Sequence, residues 1–321
     1  MKLFLTVLFS LAVLGITPSA MARYPDHPMR LVVPFPPGGN IDTTARILSK
    51  GLDEILGKQV LVENRPGAGG MIGSAYVAHA PADGYTFLLA STGALATAKA
   101  LLSDLPFDPV KDFESAATIS RVPFVLVVNK QLPVKNLRQF IAYAKEHPSK
   151  VAMGTDGLST ANHLTGELFQ AMSGTKLLLV PYKGSSQALT DLMGGQIQSR
   201  FDQLSSALPL IRSGKLRALG VTTLVRSQVV PELPTLAESG LPGFEASTTT
   251  GILFPVGTPR AIIEKINAAV NKVLEQPNTV TRFKSMGADV EKGSPPHFQQ
   301  IMRSEVAKWT KVVHEAHIKA Q

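Results

Sequence analysis

Short apolar runs that close on glycine, proline, serine or threonine, and then open into longer stretches of helical spacing, set the fold class of this chain. Residues 30–35 form a strand candidate, 42–56 a helix, 59–63 a strand, 70–79 a helix and 86–90 another strand. Strand, helix, strand with short connections is the order of an open α/β sheet. The middle repeats it, with strands at 124–129, 151–154, 177–181, 197–201 and 216–221 and helices at 137–146, 160–172 and 187–193. Beyond a proline-rich stretch come an extended run at 248–255 and a helix at 260–274. Thr258 is the expected N-cap there and Pro259 the first helical residue. A last helix runs from Pro295, with Trp309 on its apolar side as a core residue. No stretch recurs at a fixed period, which argues against a solenoid.

Residues 1–22 read as an export signal cleaved before Arg23. Lys2 is a basic head, 3–16 is apolar apart from Thr6, Ser10 and Gly15, and Ala20-Met21-Ala22 offers small residues where a signal peptidase reads. The apolar core is shorter than the roughly 20 residues of a membrane span. The rest of the 321-residue chain is long enough for two ordinary domains. With no cysteine, neither a disulfide scaffold nor a thiolate metal site can form. The formal charge of +8 falls by one without Lys2, and it is dispersed. No basic run is interleaved with aromatics as a nucleic-acid surface would require, so the expected partners are small anions and not nucleic acid.

Val33-Pro34-Phe35-Pro36-Pro37-Gly38-Gly39-Asn40-Ile41-Asp42 cannot continue as strand or helix, because three prolines remove donors and two glycines open further backbone angles. Asn40 or Asp42 is available to cap the next helix. Free amides and the helix dipole make such a turn an anion site. Ser91-Thr92-Gly93, the loop from Thr155 through Asp156 and Ser159 to Thr160, and Tyr182-Lys183-Gly184-Ser185-Ser186 repeat the pattern. Four such loops at strand ends imply one crevice, where open sheets bind ligands. Phe35 and Tyr182 are equally readable as its walls or as packing.

Other chemistries find little support. Gly67-Ala68-Gly69-Gly70-Met71-Ile72-Gly73 has glycine spacing unlike a dinucleotide fingerprint, and no acid follows the next strand, so it reads as a tight turn near the crevice. There is no G-x-S-x-G elbow, Ser159 and His163 lie one helical turn apart, and no H-E-x-x-H is present. Asp42, Asp202 and Glu245 could meet, but spacing gives them no geometry. No cofactor and no metal are expected.

The chain resembles the exported solute receptors of tripartite tricarboxylate transporters, the Bordetella uptake gene family. The resemblance rests on Arg30-Leu31-Val32-Val33-Pro34-Phe35-Pro36-Pro37-Gly38-Gly39 with Asp42 and Arg46, Val62-Glu63-Asn64-Arg65-Pro66-Gly67-Ala68-Gly69-Gly70, and Ala80-Pro81-Ala82-Asp83-Gly84-Tyr85-Thr86. It continues through Pro106-Phe107-Asp108-Pro109, His163-Leu164 with Glu167-Leu168-Phe169, Val180-Pro181-Tyr182-Lys183-Gly184, Phe201-Asp202 and Gly214-Lys215-Leu216-Arg217-Ala218-Leu219.

The resemblance implies an α/β type II periplasmic-binding-protein fold with two lobes and two extended hinge crossovers. Residues 23–123 with 248–321 would form the first lobe and 124–247 the second. It also implies a monomeric, non-enzymatic periplasmic receptor that carries a small carboxylate, preferentially a dicarboxylate, to a membrane permease. Carried onto this chain, the first-lobe contacts are Phe35, Gly38, Gly39, Asn40, Asp42, Ser91 and Thr92. Those of the second are Thr155, Ser159, Thr160, His163, Tyr182 and Asp202, with Asp202 suited to water, a loop or a ligand hydroxyl. An exported hydrolase and a non-catalytic adhesion module are the alternatives.

Overall fold

The computed structural model describes residues 24–157, 160–182, 184–315 and 318; the expected export signal and Ser159 lie outside the described residues. The chain begins β1 (Met29–Val33), α1 (Asn40–Leu56), β2 (Val60–Asn64), a short 3-10 helix (Ala68–Gly70), α2 (Met71–Ala78), β3 (Thr86–Ser91), α3 (Thr92–Leu101) and β4 (Phe113–Asn129). It continues α4 (Leu137–Glu146), β5 (Ala152–Thr155), α5 (Ala161–Ser173), β6 (Leu178–Pro181), α6 (Ser185–Gly194), β7 (Ser199–Gln203), α7 (Leu204–Arg212) and β8 (Leu216–Val221). The last part is β9 (Ser247–Pro255), α8 (Arg260–Glu275), α9 (Pro277–Ser285), β10 (Asp289–Val290) and α10 (Pro295–Glu315).

The strands lie in the order β2-β1-β3-β9-β4-β7-β5-β6, with β8 and β10 also paired to β4. At one side β2, β1 and β3 are parallel, and at the other β7, β5 and β6 are parallel. The antiparallel strands β9 and β4 join the two sides. β4 changes partner along its length: residues from Phe113 to Pro123 pair with β9, and from Phe124 onward with β7 and β8.

Alternation along the strands sorts apolar residues into separate cores. Leu31, Val33, Phe87 and Leu89 face α1 and α8, in a cluster with Leu48, Ile266 and Val270. Val32, Leu88 and Ala90 point the other way, into a core that runs through both sides of the sheet and includes Phe140, Phe169, Phe201, Phe244 and Trp309. Gly51 lets α1 and α8 cross closely, since a Cβ there would stand 2.7 Å from Val273. Trp309 is fully buried, as its helical spacing predicts, and its indole N–H donates to Glu305 at 2.8 Å.

The α8 cap differs from expectation by one residue: Pro259 is the N-cap and Arg260 the first helical position. Thr258 Oγ1 instead donates to the Pro255 carbonyl at 2.8 Å, closing the preceding turn. The sequence reading also lacked α3, α7, α9, β10 and the first part of β4.

Candidate functional site

A cavity of about 1160 Å³ opens where the strands of both sides end. That exceeds the roughly 300–1,000 Å³ of ordinary ligand pockets. Its walls are helix beginnings: the caps Gly39 of α1, Ser91 of α3, Thr160 of α5, Gly184 of α6 and Gln203 of α7 all line it. None of the five receives a side-chain cap hydrogen bond. Away from the cavity, α4 is capped by the Asn136 carboxamide, which accepts from Gln139 N at 2.9 Å, while α8 and α9 also lack a side-chain cap. Helix ends left uncapped toward a common space offer amide donors and positive dipole ends to an anion.

The first turn is held from behind. Asp42 is buried, its carboxylate accepting from Gly38 N at 2.9 Å, from Arg46 at 2.9 and 3.0 Å and from Asn64 Nδ2 at 2.9 Å. Asn64 also donates to the Phe35 carbonyl at 3.1 Å, tying the end of β2 to the turn. Burial pushes the Asp42 carboxyl up, but Arg46, the Gly38 amide and Asn64 outweigh it and hold the pKa at about 2. Asp42 is therefore a charged brace for the turn.

Across the cavity, Arg200 on β7 is fully buried between two acids. Its guanidinium donates to Asp156 at 2.7 and 2.8 Å, to Asp202 at 2.9 Å and to the Gly154 carbonyl at 3.3 Å. Asp202 also accepts from Ser185 Oγ at 2.6 Å and from Gln203 N at 2.8 Å. Burial raises the Asp202 pKa despite Arg200 and Ser185. Burial alone would lower Arg200, yet the two carboxylates hold it above its ordinary value. Thr160 Oγ1 stands 2.7 Å from the Gly157 carbonyl and 2.6 Å from Asn162 Oδ1, and Asn162 Nδ2 donates to Asp156 at 2.7 Å. These bonds fasten the starts of α5, α6 and α7 to one buried cation.

Of the residues expected from sequence, Phe35, Gly39, Asn40, Ser91, Thr160 and Asp202 line the cavity. Gly38 does not line it: it is exposed with φ +85° and donates to Asp42. Thr92 is buried and its hydroxyl oxygen accepts from Thr249 N at 3.0 Å, so it stitches α3 to β9. Thr155 is buried at the end of β5. His163 is buried on α5 with Nε2 3.7 Å from Glu167, and burial pushes its pKa down. Tyr182 packs on the core of the second side and donates to Asp191 at 2.8 Å. Asp42, Asp202 and Glu245 stay apart, paired with Arg46, Arg200 and Lys308 respectively.

Sequence reading did not single out Asp156, Asn162, Ser185, Gln203 or Thr248, which also line the cavity. Asp156 and Ser185 belong to loops already recognised as polar strand ends, and that was the available signal. Ala68 and Gly69 of the glycine turn reach the cavity as well. Among the described residues, no group of three or more His, Asp or Glu side chains could hold a metal ion, and no helix is long and apolar enough to cross a membrane.

Comparison with known proteins points the same way. The model of the tripartite tricarboxylate transporter family receptor matches residues 44–318. Protein BugT of Bordetella pertussis is 38% identical over 314 residues, spanning 95% of this chain and 96% of its own. The structure of R. palustris Rpa4515 with adipate is 37% identical with a TM-score of 0.81, over 93% of this chain and 100% of that one. MatC from Rhodopseudomonas palustris with bound malate is 34% identical with a TM-score of 0.77, over 90% and 100%.

Proposed function

Because the chain belongs to the tripartite tricarboxylate transporter receptor family and has its periplasmic-binding-protein fold, we propose that it captures a small dicarboxylate in the periplasm and delivers it to a transporter permease. The family and its structural neighbours are solute receptors and not enzymes. The observation that carries the reading is the set of uncapped helix starts, α1 and α3 on one side and α5, α6 and α7 on the other, around one cavity. Two facing anion sites suit a ligand with a carboxylate at each end. Gly39, Asn40 and Ser91 would hold one end and the amides at the starts of α5 and α6 the other; Thr160, expected to contact the ligand, instead spends its hydroxyl hydrogen on Gly157 or Asn162. The neighbours bound to adipate and malate support the dicarboxylate class.

Residues 23–123 with 248–321 would move against 124–247, bending where β4 leaves β9 for β7 and β8 at Pro123 and Phe124. A ligand shifts such an equilibrium only through contacts stronger in the closed form, and a cavity larger than ordinary pockets leaves room to close. The receptor works as a monomer and returns its ligand unaltered. Small-angle scattering of the purified protein with saturating dicarboxylate should show compaction, and uptake of that acid should fall in cells lacking the chain. Saturation without compaction sinks the closure, unchanged uptake with no second receptor sinks the transport role, and a change in ligand mass would mean catalysis.

A further inference from the structure

Positive charge that is dispersed along the sequence gathers at one end of the fold. β5, β6 and β7 are parallel, and the residues that follow or close them, Asp156, Gly184 and Asp202, line the cavity. β4 runs antiparallel to β7 and β8, pairing Val128 with Ser199 and Asn129 with Leu216. The end of β4 and the starts of β5, β6 and β8 therefore share the edge remote from the cavity. Each carries an exposed lysine there: Lys130, Lys150, Lys176 and Lys215. Ser149 N donates to the Lys176 carbonyl at 2.8 Å, which sets Lys150 and Lys176 on neighbouring chains.

Two helices add to this end. α4 leaves β4 at the remote edge and returns to β5 at the same edge, so it lies across it, with Lys135, Arg138 and Lys145 exposed. α7 starts at the cavity and ends at the remote edge on the exposed Arg212. Among the described residues none of these cations forms an ion pair. The exposed acid on the same end of α4 is Glu146. On the helices that end here, Glu167 and Asp191 are half-buried and bonded to Gln170 and Tyr182. Lys145 and Arg212 lie in last turns, where the helix dipole favours a cation. The lysines at the strand ends have no such local role. The corresponding end of the β1 and β3 side is mixed in charge, with Asp26, Asp83 and Glu114 exposed alongside Lys58 and Arg260.

We propose that the basic end docks on an anionic phospholipid surface. Lysine predominates in it, and Tyr143 on α4 is half-buried and stacked on His147. Stable protein interfaces are depleted of lysine and centred on aromatic or arginine anchors. Lipid headgroups instead meet flexible lysines without a fixed geometry, and their attraction adds up over several cations near the surface. Docked in this way, the β5, β6 and β7 side lies between the bilayer and the cavity, which stays away from the lipid. The receptor is then held loosely at the membrane where its permease resides. The proposal takes from the receptor reading only the periplasmic setting, and it holds whichever acid is captured.

The test is cosedimentation of the full-length mature chain with vesicles of phosphatidylcholine alone and of phosphatidylcholine with phosphatidylglycerol at about 2:1. At about 0.05 M salt the chain should partition onto the anionic vesicles at least about tenfold more than onto the neutral ones, and at about 0.5 M, where charges are screened over a shorter distance, it should come off. Combining Lys130→Glu, Lys150→Glu and Lys176→Glu should abolish the preference. Combining Lys50→Glu, Lys58→Glu and Lys284→Glu, exposed elsewhere and equal in charge change, should keep most of it. Glutamine at the same positions gives the same comparison if the glutamate variants do not fold. Equal partition of the wild-type chain onto both kinds of vesicle overturns the proposal and leaves the basic end to an acidic protein segment. Equal losses in the two triple variants overturn it as well, because net charge and not this end would then attract the lipid. Neither outcome touches dicarboxylate capture, which calorimetry reads without vesicles.

Discussion

Asp42 and Asp202 each take an arginine Nε at 2.9 Å beside the same cavity, yet their acidities move in opposite directions. Burial pushes both carboxyls up. At Asp42 the Arg46 guanidinium, the Gly38 amide and Asn64 overcome it, and the pKa settles at about 2. At Asp202 burial prevails, because Arg200 is itself fully buried, shares its charge with Asp156, and Asp156 adds a second negative charge nearby. Arg46 is half exposed and serves one acid. A pair whose cation is half exposed braces one turn, whereas a buried triad costs more in desolvation and fixes three helix starts at once.

The largest difference should come from removing the two cations. Arg200→Met strands two acids, one fully enclosed, and should cost about 3–5 kcal/mol of stability in urea denaturation. Arg46→Met should cost clearly less than Arg200→Met, since Arg46 is more than half exposed and the buried Asp42 keeps its Gly38 and Asn64 bonds. Comparable losses in the two variants would remove the distinction between brace and triad.

Next in size is an effect on binding alone. Gly39 has φ −78° and its nearest Cβ neighbour would be the Pro36 carbonyl at 3.9 Å, so a side chain there fits the fold and occupies the cavity instead. Gly39→Val should weaken dicarboxylate binding by roughly ten- to a hundredfold, or about 1–3 kcal/mol, with an unchanged melting temperature. Gly184→Val, at the corresponding start of α6 with no atom within 4 Å of its Cβ, probes the opposite wall. If neither substitution weakens binding, those helix starts do not touch the ligand.

The smallest effect is on pH dependence, and it carries opposite signs. Asp42 has a folded pKa below its ordinary 3.8, so its contribution is fully present above that value and is lost as pH falls toward 2. Asp202 has a folded pKa above 3.8, so its contribution is present below that value and is lost as pH rises through the raised pKa. The stability advantage of wild type over Asp42→Asn should therefore grow from pH 2 to 4. That over Asp202→Asn should shrink as pH rises from 4. Thermal melts across this range give both slopes, and a shared sign would contradict the contrast in burial.

How much of this was legible in the chain follows from what each segment looks like alone. Leu31-Val32-Val33 announces a strand because apolar side chains are wanted on both faces of a covered sheet. Glu114, Ser115, Thr118, Ser120 and Arg121 hide the first part of β4, because they break the apolar run, and the partners of Ser120 and Arg121, Thr250 and Glu291, are remote in sequence. Thr92–Leu101 is rich in small apolar residues and lacks the polar face that would mark a helix. The anion turn at Gly38 and Gly39 could be read because proline and glycine restrict the backbone locally. The Asp156–Arg200 pair could not, because 44 residues separate partners that only the parallel pairing of β5 with β7 brings together.

The claim on which both walls depend is that backbone donors at uncapped helix starts bind a carboxylate as an anion. Calorimetry of the mature protein with a bound dicarboxylate and with the corresponding neutral diamide tests it most directly, because the amides keep the shape and remove the charge. The diamide should bind at least about a hundredfold more weakly, or not measurably, because the hydrogen bonds at both of its ends are no longer charge-assisted. Equal affinity for the acid and its diamide would contradict the anion site at both ends.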